Sequence, residues 1–285
     1  MKLRVYGCRG SVPMSLSLFS RYGGNTSCIL LESTSENGQA GGMIIFDAGS
    51  GLLRLEHDLR LNNPNYPKNL PFKPNILLSH LHLDHIIGLA AFTPSFSKDA
   101  GMRVFTCSRD ERPLKSQLLG AFAPPYWPIA MEEHSPIECV EIFDSVTFSL
   151  GEFTITPFDA QHPNGTQSFH VTDGKKTIVH LLDNELSYMD KKSYKKLVEY
   201  CRNVDLVIFD AAYIPQDYEA KKGYGHSTIE HGIELANDSC CERMLFSHFS
   251  PEYSDSQLDD LISYLIPHGY NSRFILSRDG LELQI

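Results

Sequence analysis

Six consecutive residues, His80-Leu81-His82-Leu83-Asp84-His85, carry four groups that could bind a metal ion. Imidazole nitrogens and a carboxylate oxygen are the donors that suit zinc, iron or manganese. The run follows NILLS (75–79), an apolar strand pattern, so alternation along an extended chain puts His80 and His82 on one side. The turn into the next helix brings Asp84 and His85 round toward a neighbouring point. Burying four such groups without partners would cost several kcal/mol. Further donors stand where other apolar runs end: His162 in DAQHPNG after FTITPF, Asp183 closing KKTIVHLLD, and His248 closing RMLFSHF. Each is an ordinary strand-end polar residue when taken singly, and loops at strand ends are where ligands are mounted. As a set of three beside HLHLDH they point to a metal centre.

The elements that must position these groups are short. Residues 2–7, 28–33 and 42–47 read as strands separated by glycine-rich turns. Leu52, Leu53, Leu55 and Leu59 have helical spacing in 50–62, and a Pro- and Asn-rich loop runs from Asn62 to Pro74. After HLHLDH, IIGLAAF continues as a helix. The segment 108–136 is the least regular, with a helix near Pro113–Ala121 and then the proline-rich, aromatic APPYWPIAMEEH. Strands return from Glu138 to Asp183 with turns at Asn164-Gly165 and Asp173-Gly174. Lys191–Cys201 reads as a helix, 205–213 as a buried strand, and 227–238 as an amphipathic helix opened by a serine N-cap. RMLFSHF is a strand, SDSQLDDLISYLI a helix and RFILSRDGLELQI a closing hairpin. Strands in runs with interspersed helices predict an α/β fold of two sheets packed face to face, helices outside.

Composition narrows the class. The 285 residues, 42% hydrophobic and 21% charged, fit a globular chain. No run reaches the roughly 18 apolar residues of a membrane span, and MKLRVYGCRGSVP lacks a signal peptide's apolar core, so a cytoplasmic protein is expected. A net charge of −10 gives no global attraction to nucleic acid or acidic lipid. The seven cysteines are scattered without a CxxC, which argues against a disulfide framework or a thiolate zinc site.

On these residues the sequence resembles the metallo-β-lactamase fold superfamily, whose signature HxHxDH stands at His80–His85. Asp47 in IIFDAGSG, His162, Asp183 and His248 complete its usual order. GCRGSVP with RYGGNTSC (Gly7–Pro13, Arg21–Cys28), GHST (Gly225–Thr228) and SHFSPEYSD (Ser247–Asp255) resemble its phosphodiesterase branch, which includes tRNase Z and small cyclic-nucleotide phosphodiesterases. The resemblance implies a four-layer αββα sandwich with two mixed sheets. It implies one hydrolase domain over 1–285, with an irregular insertion at about 108–136. It also implies two divalent ions, zinc first, with manganese or iron as alternatives. His80, His82 and His162 would hold one ion; Asp84, His85 and His248 the other; Asp183 would bridge them, and Asp47 would orient a ligand. The catalytic roles fall to Asp84, His226 and Asp210: hydroxide held between the ions attacks, and His226, paired with Asp210, protonates the leaving alkoxide. His57, His134, His170, His180, His231 and His268 match no motif and read as structural or exposed.

The expected function is hydrolysis of a small or cyclic phosphodiester such as a cyclic nucleotide. A tRNA 3′-processing endoribonuclease, a non-hydrolytic metal-binding sensor, and a thioester or lactone hydrolase are the alternatives. The negative charge, and the absence of a long basic arm between His85 and His162, weigh against RNA. Relatives are often dimers, so the resemblance admits a homodimer, and nothing in the sequence locates an interface. Lys221, Lys222 and Tyr224 stand close enough to His226 in sequence for one to touch substrate phosphate. Tyr126-Trp127 reads equally as a base-stacking lid or as a surface loop. Asn25 reads as a turn residue or a partner near the metals, and KKSYKK (Lys191–Lys196) as a solvated helix face.

Overall fold

A computed structural model describes residues 1–34, 40–68, 70 and 72–285. The turn expected between the second and third strands, and positions 69 and 71 of the expected loop Asn62–Pro74, lie outside the described residues. The first six strands are β1 (Lys2–Gly7), β2 (Cys28–Thr34), β3 (Ala40–Phe46), β4 (Asn75–Leu77), β5 (Arg103–Thr106) and β6 (Glu138–Glu141). The next seven are β7 (Phe148–Leu150), β8 (Phe153–Ala160), β9 (Thr166–Thr172), β10 (Thr177–Leu181), β11 (Leu206–Asp210), β12 (Arg243–Ser247) and β13 (Phe274–Leu276). A final strand, β14 (Glu282–Gln284), returns to pair with β1. Two seven-stranded sheets result, ordered β14-β1-β2-β3-β4-β5-β6 and β13-β12-β11-β10-β9-β8-β7. Each is mixed: β3 to β6 and β10 to β13 run parallel, and the other neighbours antiparallel.

The alternation of apolar residues explains the layers. In the first sheet Leu3, Val5, Ile29, Leu31, Ile44 and Phe46 face the second sheet and pack on Phe153, Ile155, Phe169 and Val171. Tyr6, Leu30, Ile45 and Ile76 point the other way, under α1 (Gly51–Asn62), where they meet Leu52, Leu55 and Leu59. Leu53, placed on the same face by spacing, is instead exposed. Behind β4, α2 (Leu83–Ile86) carries the ligand run and continues only as a 3-10 turn, Ile87–Ala90. The segment 108–136 holds two short helices, α3 (Leu114–Leu119) and α4 (Met131–His134). The outer layer of the second sheet is α5 (Lys191–Tyr200), α6 (Ile229–Ser239) and α7 (Asp255–Leu265), which bury Leu197, Leu235, Ala236, Leu258 and Leu265.

Two expectations are corrected. The carboxyl terminus is not a hairpin: β13 lies parallel to β12 in one sheet and β14 antiparallel to β1 in the other. The Asp279-Gly280 turn crosses the sandwich edge, where its N–H groups donate to Tyr22 O (2.7 Å) and Val5 O (2.7 Å). The N-cap of α6 is Thr228, in a reciprocal box with His231. Ser227 is spent on docking its loop, donating to Asn184 O at 2.5 Å and accepting from Leu186 N at 3.1 Å. Among the described residues no helix is long and apolar enough to cross a membrane.

Candidate metal centre

The site forms because residues at the carboxyl ends of six strands meet at one edge of the sandwich, where sheets with parallel strands leave open crevices. Asp47 follows β3, Ser79 and His80 follow β4, and His162 follows β8. Asp183 follows β10, Asp210 ends β11, and His248 follows β12. Asp47, Asp183 and His248 have φ of 58°, 53° and 66°. These left-handed conformations cost a non-glycine residue on the order of 1 kcal/mol each. They turn each chain sharply at its strand end, where the side chain joins the cluster.

Two groups of donors form, with ligand atoms within 4.8 Å of one another in each: His80, His82, His162 and Asp183, and Asp84, His85 and His248. Asp183 faces both. Its Oδ2 lies 3.6 Å from His80 Nε2 and 3.6 Å from His162 Nε2, while Oδ1 lies 3.2 Å from His85 Nε2 and 3.2 Å from His248 Nε2. Asp84 Oδ2 is 3.3 Å from His85 Nε2 and 3.2 Å from His248 Nε2, and accepts from Ser11 N at 2.7 Å.

The outer nitrogens fix the tautomers. His85 Nδ1 meets Asp47 Oδ2 at 2.9 Å, and His162 Nδ1 meets Gly225 O at 2.8 Å. Both partners can only accept in the ionised carboxylate and carbonyl forms, so Nδ1 carries the proton and Nε2 offers a lone pair inward. Yet His85 Nε2 stands 3.2 Å from His248 Nε2, and His162 Nε2 stands 3.1 Å from His82 Nδ1. His80 Nε2 and Asp183 Oδ1 are buried without a hydrogen-bond partner. Lone pairs facing one another beside orphaned acceptors fit a bound cation. The carboxylates favour positive charge beside His85, and burial keeps the other rings neutral. Burial depresses the pKa of His80, His82 and His162, whereas at His85 the neighbouring Asp183, Asp84 and Asp47 outweigh burial and raise it. Asp84 and Asp183 are held well below the usual carboxylate range: burial opposes ionisation, but His85 and His248 overcome it.

The expected Asp210–His226 pair is formed. Asp210 Oδ2 accepts from His226 Nδ1 at 2.8 Å and Asn184 N at 3.0 Å, while Oδ1 accepts from Ala212 N at 3.0 Å. Burial lowers the pKa of His226, but Asp210 more than compensates and lifts it to about 9. The imidazole stacks on His248 with centroids 5.1 Å apart, and one of its nitrogens lies within 4.8 Å of ligand atoms of Asp183 and His248. Asp47 contacts the donors from behind: Oδ1 accepts from Ser79 N at 2.8 Å and Oδ2 pairs with His85 Nδ1 at 2.9 Å.

Other expectations fare differently. Lys221 is paired with Glu252 and Lys222 with Glu219, and Tyr224 is exposed, so neither lysine offers a free charge to the centre. Trp127 packs edge-on against Phe122 while Tyr126 is 88% exposed. Asn25 lies in the loop before β2 and its side chain donates to Asp279 Oδ2 at 2.8 Å. Sequence reasoning missed Glu185, whose carboxylate accepts from Gly223 N, Gly225 N and Tyr218 OH at 2.8–2.9 Å and so holds the GHST loop. Gly225 has φ +93°, and a Cβ there would lie 2.3 Å from His162 Nδ1, so only glycine lets its carbonyl orient that ring. It also missed Arg9, fully buried, which donates to Gly23 O (2.9 Å), Tyr253 O (2.7 Å) and Asp255 Oδ1 (3.3 Å). That one side chain ties GCRGSVP, RYGG and SHFSPEYSD together.

Two mixed sheets flanked by helices, with this order of histidines and aspartates at one edge, define the metallo-β-lactamase fold. Residues 43–249 match the beta-lactamase superfamily domain, and the chain belongs to that superfamily. Ribonuclease Z of Staphylococcus carnosus is 22% identical over 281 residues, covering 82% of this chain and 87% of its own. Among solved structures, the metallo-beta-lactamase fold protein YhfI from Bacillus subtilis superposes with a TM-score of 0.68 at 18% identity over 99% of both chains. Yeast PDE1 superposes with a TM-score of 0.64 at 13% identity, over 100% of this chain and 99% of its own.

Proposed function

We propose that the protein is a hydrolase that uses two divalent metal ions, zinc first, to cleave a small or cyclic phosphodiester. The observation that carries this is Asp183, one carboxylate with an oxygen toward each donor group. His80, His82 and His162 would hold one ion, Asp84, His85 and His248 the other, and Asp183 both. Such a pair of ions supplies an activated water and neutralises charge developing on the phosphate. The chain's own residues do the rest. Asp47 and Gly225 O keep His85 and His162 in the tautomer that presents Nε2. Glu185 fixes the loop carrying His226. Asp210 holds the His226 proton on Nδ1 and steadies the imidazolium, whose remaining nitrogen can protonate a departing alkoxide oxygen.

A second reading, an endoribonuclease acting on tRNA 3′ ends, is favoured by the Ribonuclease Z relatives. The net charge of −10 favours the small substrate. Elemental analysis together with bis(p-nitrophenyl) phosphate turnover, on wild type and Asp183→Ala, tests the proposal. About two equivalents of metal, with turnover lost in the variant, support it. A folded wild type that takes up no metal under any loading condition would falsify it. Cleavage of precursor tRNA that declines steeply with salt would transfer the assignment to the second reading.

A further inference from the structure

A solvent-open cavity of roughly 360 Å³ adjoins the centre. His80, His82, Asn164 and Gly165 line it together with Arg109 and Arg112 from the irregular segment. His82 belongs to both spaces, with Nδ1 on the side of His162 Nε2 (3.1 Å) and Nε2 on the side of Asn164 Nδ2 (3.3 Å). The two arginines differ. Arg112 is spent on Asp110, with its Nη2 2.6 Å from Oδ2 and its Nε 3.1 and 3.0 Å from the two oxygens. Arg109 forms no ion pair among the described residues, and its buried Nε and Nη2 have no hydrogen-bond partner.

That unspent guanidinium is held in place. Arg109 N donates to Gln117 Oε1 at 2.8 Å, and Gln117 Nε2 donates to Arg112 O (2.7 Å), Asp110 O (3.1 Å) and Ser108 Oγ (2.8 Å). A largely buried glutamine on α3 thus locks the loop. On the other side Gly165, at φ +79°, leaves room: a Cβ there would lie 2.8 Å from Arg109 Nη1. Two buried donor nitrogens left without partners are expensive, and a planar guanidinium matches the paired oxygens of a phosphate.

We propose that Arg109 binds a second phosphate group of the substrate, one that does not react, so that the preferred substrate is a phosphodiester carrying an additional phosphate. This rests on the hydrolase reading for the placement of the reacting phosphate at the metal centre. The test is calorimetric binding of thymidine 3′,5′-bisphosphate and thymidine 5′-monophosphate to the zinc-loaded protein, as wild type, Arg109→Gln and Arg109→Lys. Wild type is expected to prefer the bisphosphate by about tenfold or more, the gain of one charge-assisted contact. Arg109→Gln should erase the preference while keeping monophosphate affinity, and Arg109→Lys should keep part of it. Equal affinities in wild type, a preference that survives Arg109→Gln, or equal loss of both ligands would each overturn the assignment. Turnover of bis(p-nitrophenyl) phosphate by the same wild-type sample is a separate check: its absence counts against the hydrolase reading and leaves the binding comparison intact.

Discussion

Replacing Asp47 with asparagine would move one proton at the centre and change little else. Asparagine accepts the left-handed backbone that Asp47 occupies at φ 58°. The carboxylate accepts from Ser79 N at 2.8 Å through Oδ1 and from His85 Nδ1 at 2.9 Å through Oδ2. An amide has one acceptor oxygen. If that oxygen keeps Ser79, its NH2 confronts His85 Nδ1, which must surrender its proton and become the acceptor. The proton then sits on Nε2, which lies 3.2–3.3 Å from Asp84, Asp183 and His248. The lone pair needed for a metal is lost. The flipped amide satisfies His85 but leaves the buried Ser79 N–H facing another donor, at about 1–3 kcal/mol. Either way zinc affinity should fall about tenfold to a hundredfold, the usual effect of losing a carboxylate behind a ligating histidine. That corresponds to roughly 1.4–2.8 kcal/mol. Competition titration of zinc against a chromophoric chelator reads this directly, with thermal unfolding of the apoprotein as a control for folding. A well-folded variant whose affinity stays within about twofold of wild type would refute the tautomer argument, because that lies well short of the loss a displaced Nε2 lone pair demands.

Three further outcomes are expected. His226→Ala should slow hydrolysis of a dinucleoside phosphate by about 10²–10⁴ and barely affect bis(p-nitrophenyl) phosphate, whose phenolate leaves unaided; equal losses on both would remove the proton-donor role. His180 is buried against Phe46 with neither ring nitrogen bonded, and burial depresses its pKa from 6.5 to about 4. The unfolded chain therefore binds a proton between those values that the native state refuses, so stability falls as pH drops from 6.5 toward 4. His180→Phe should gain about 2 kcal/mol relative to wild type at pH 5 compared with pH 8, measured by urea unfolding of the apoproteins; parallel pH profiles would contradict this. Arg9→Met strips the hydrogen bonds to Gly23 O, Tyr253 O and Asp255 while burying no substitute donor. It should cost about 3–5 kcal/mol, on the order of 10 °C in Tm for a chain this long, and an unchanged Tm would mean the network is not a stabilising one.

What could be read from the sequence was whatever has a short period or a dense local cluster. HLHLDH gave four donors because they share one turn, and the alternating runs gave both sheets because successive residues such as Leu30 and Leu31 must part to opposite faces. The contacts of Arg9 lay beyond reach: its partners Tyr253 and Asp255 are 244 and 246 residues away, and no local pattern encodes such a pairing. Glu185 was hidden for the same reason, being joined to Gly223 and Gly225 across 38 and 40 residues. The terminal hairpin failed because Asp279-Gly280 has hairpin chemistry, and only sheet membership reveals that its arms part.

The backbone strain at the centre is the deeper omission, and it bears on function. Asp47, Asp183 and His248 are not glycines, so nothing in their identity announces left-handed φ values. Relaxing any one of them would remove the sharp turn at its strand end and move its side chain away from the convergence point. The fold tolerates three such residues because each is gripped: Asp47 by Ser79 N and His85, Asp183 by the rings around it, His248 between His85 and His226. Those grips are largely among the donors themselves: His85 and His248 hold the Asp84 and Asp183 carboxylates ionised against burial. The strain is therefore offset by the same side chains that would ligate a metal, so a substitution that removes one donor should also loosen the turns that aim the others.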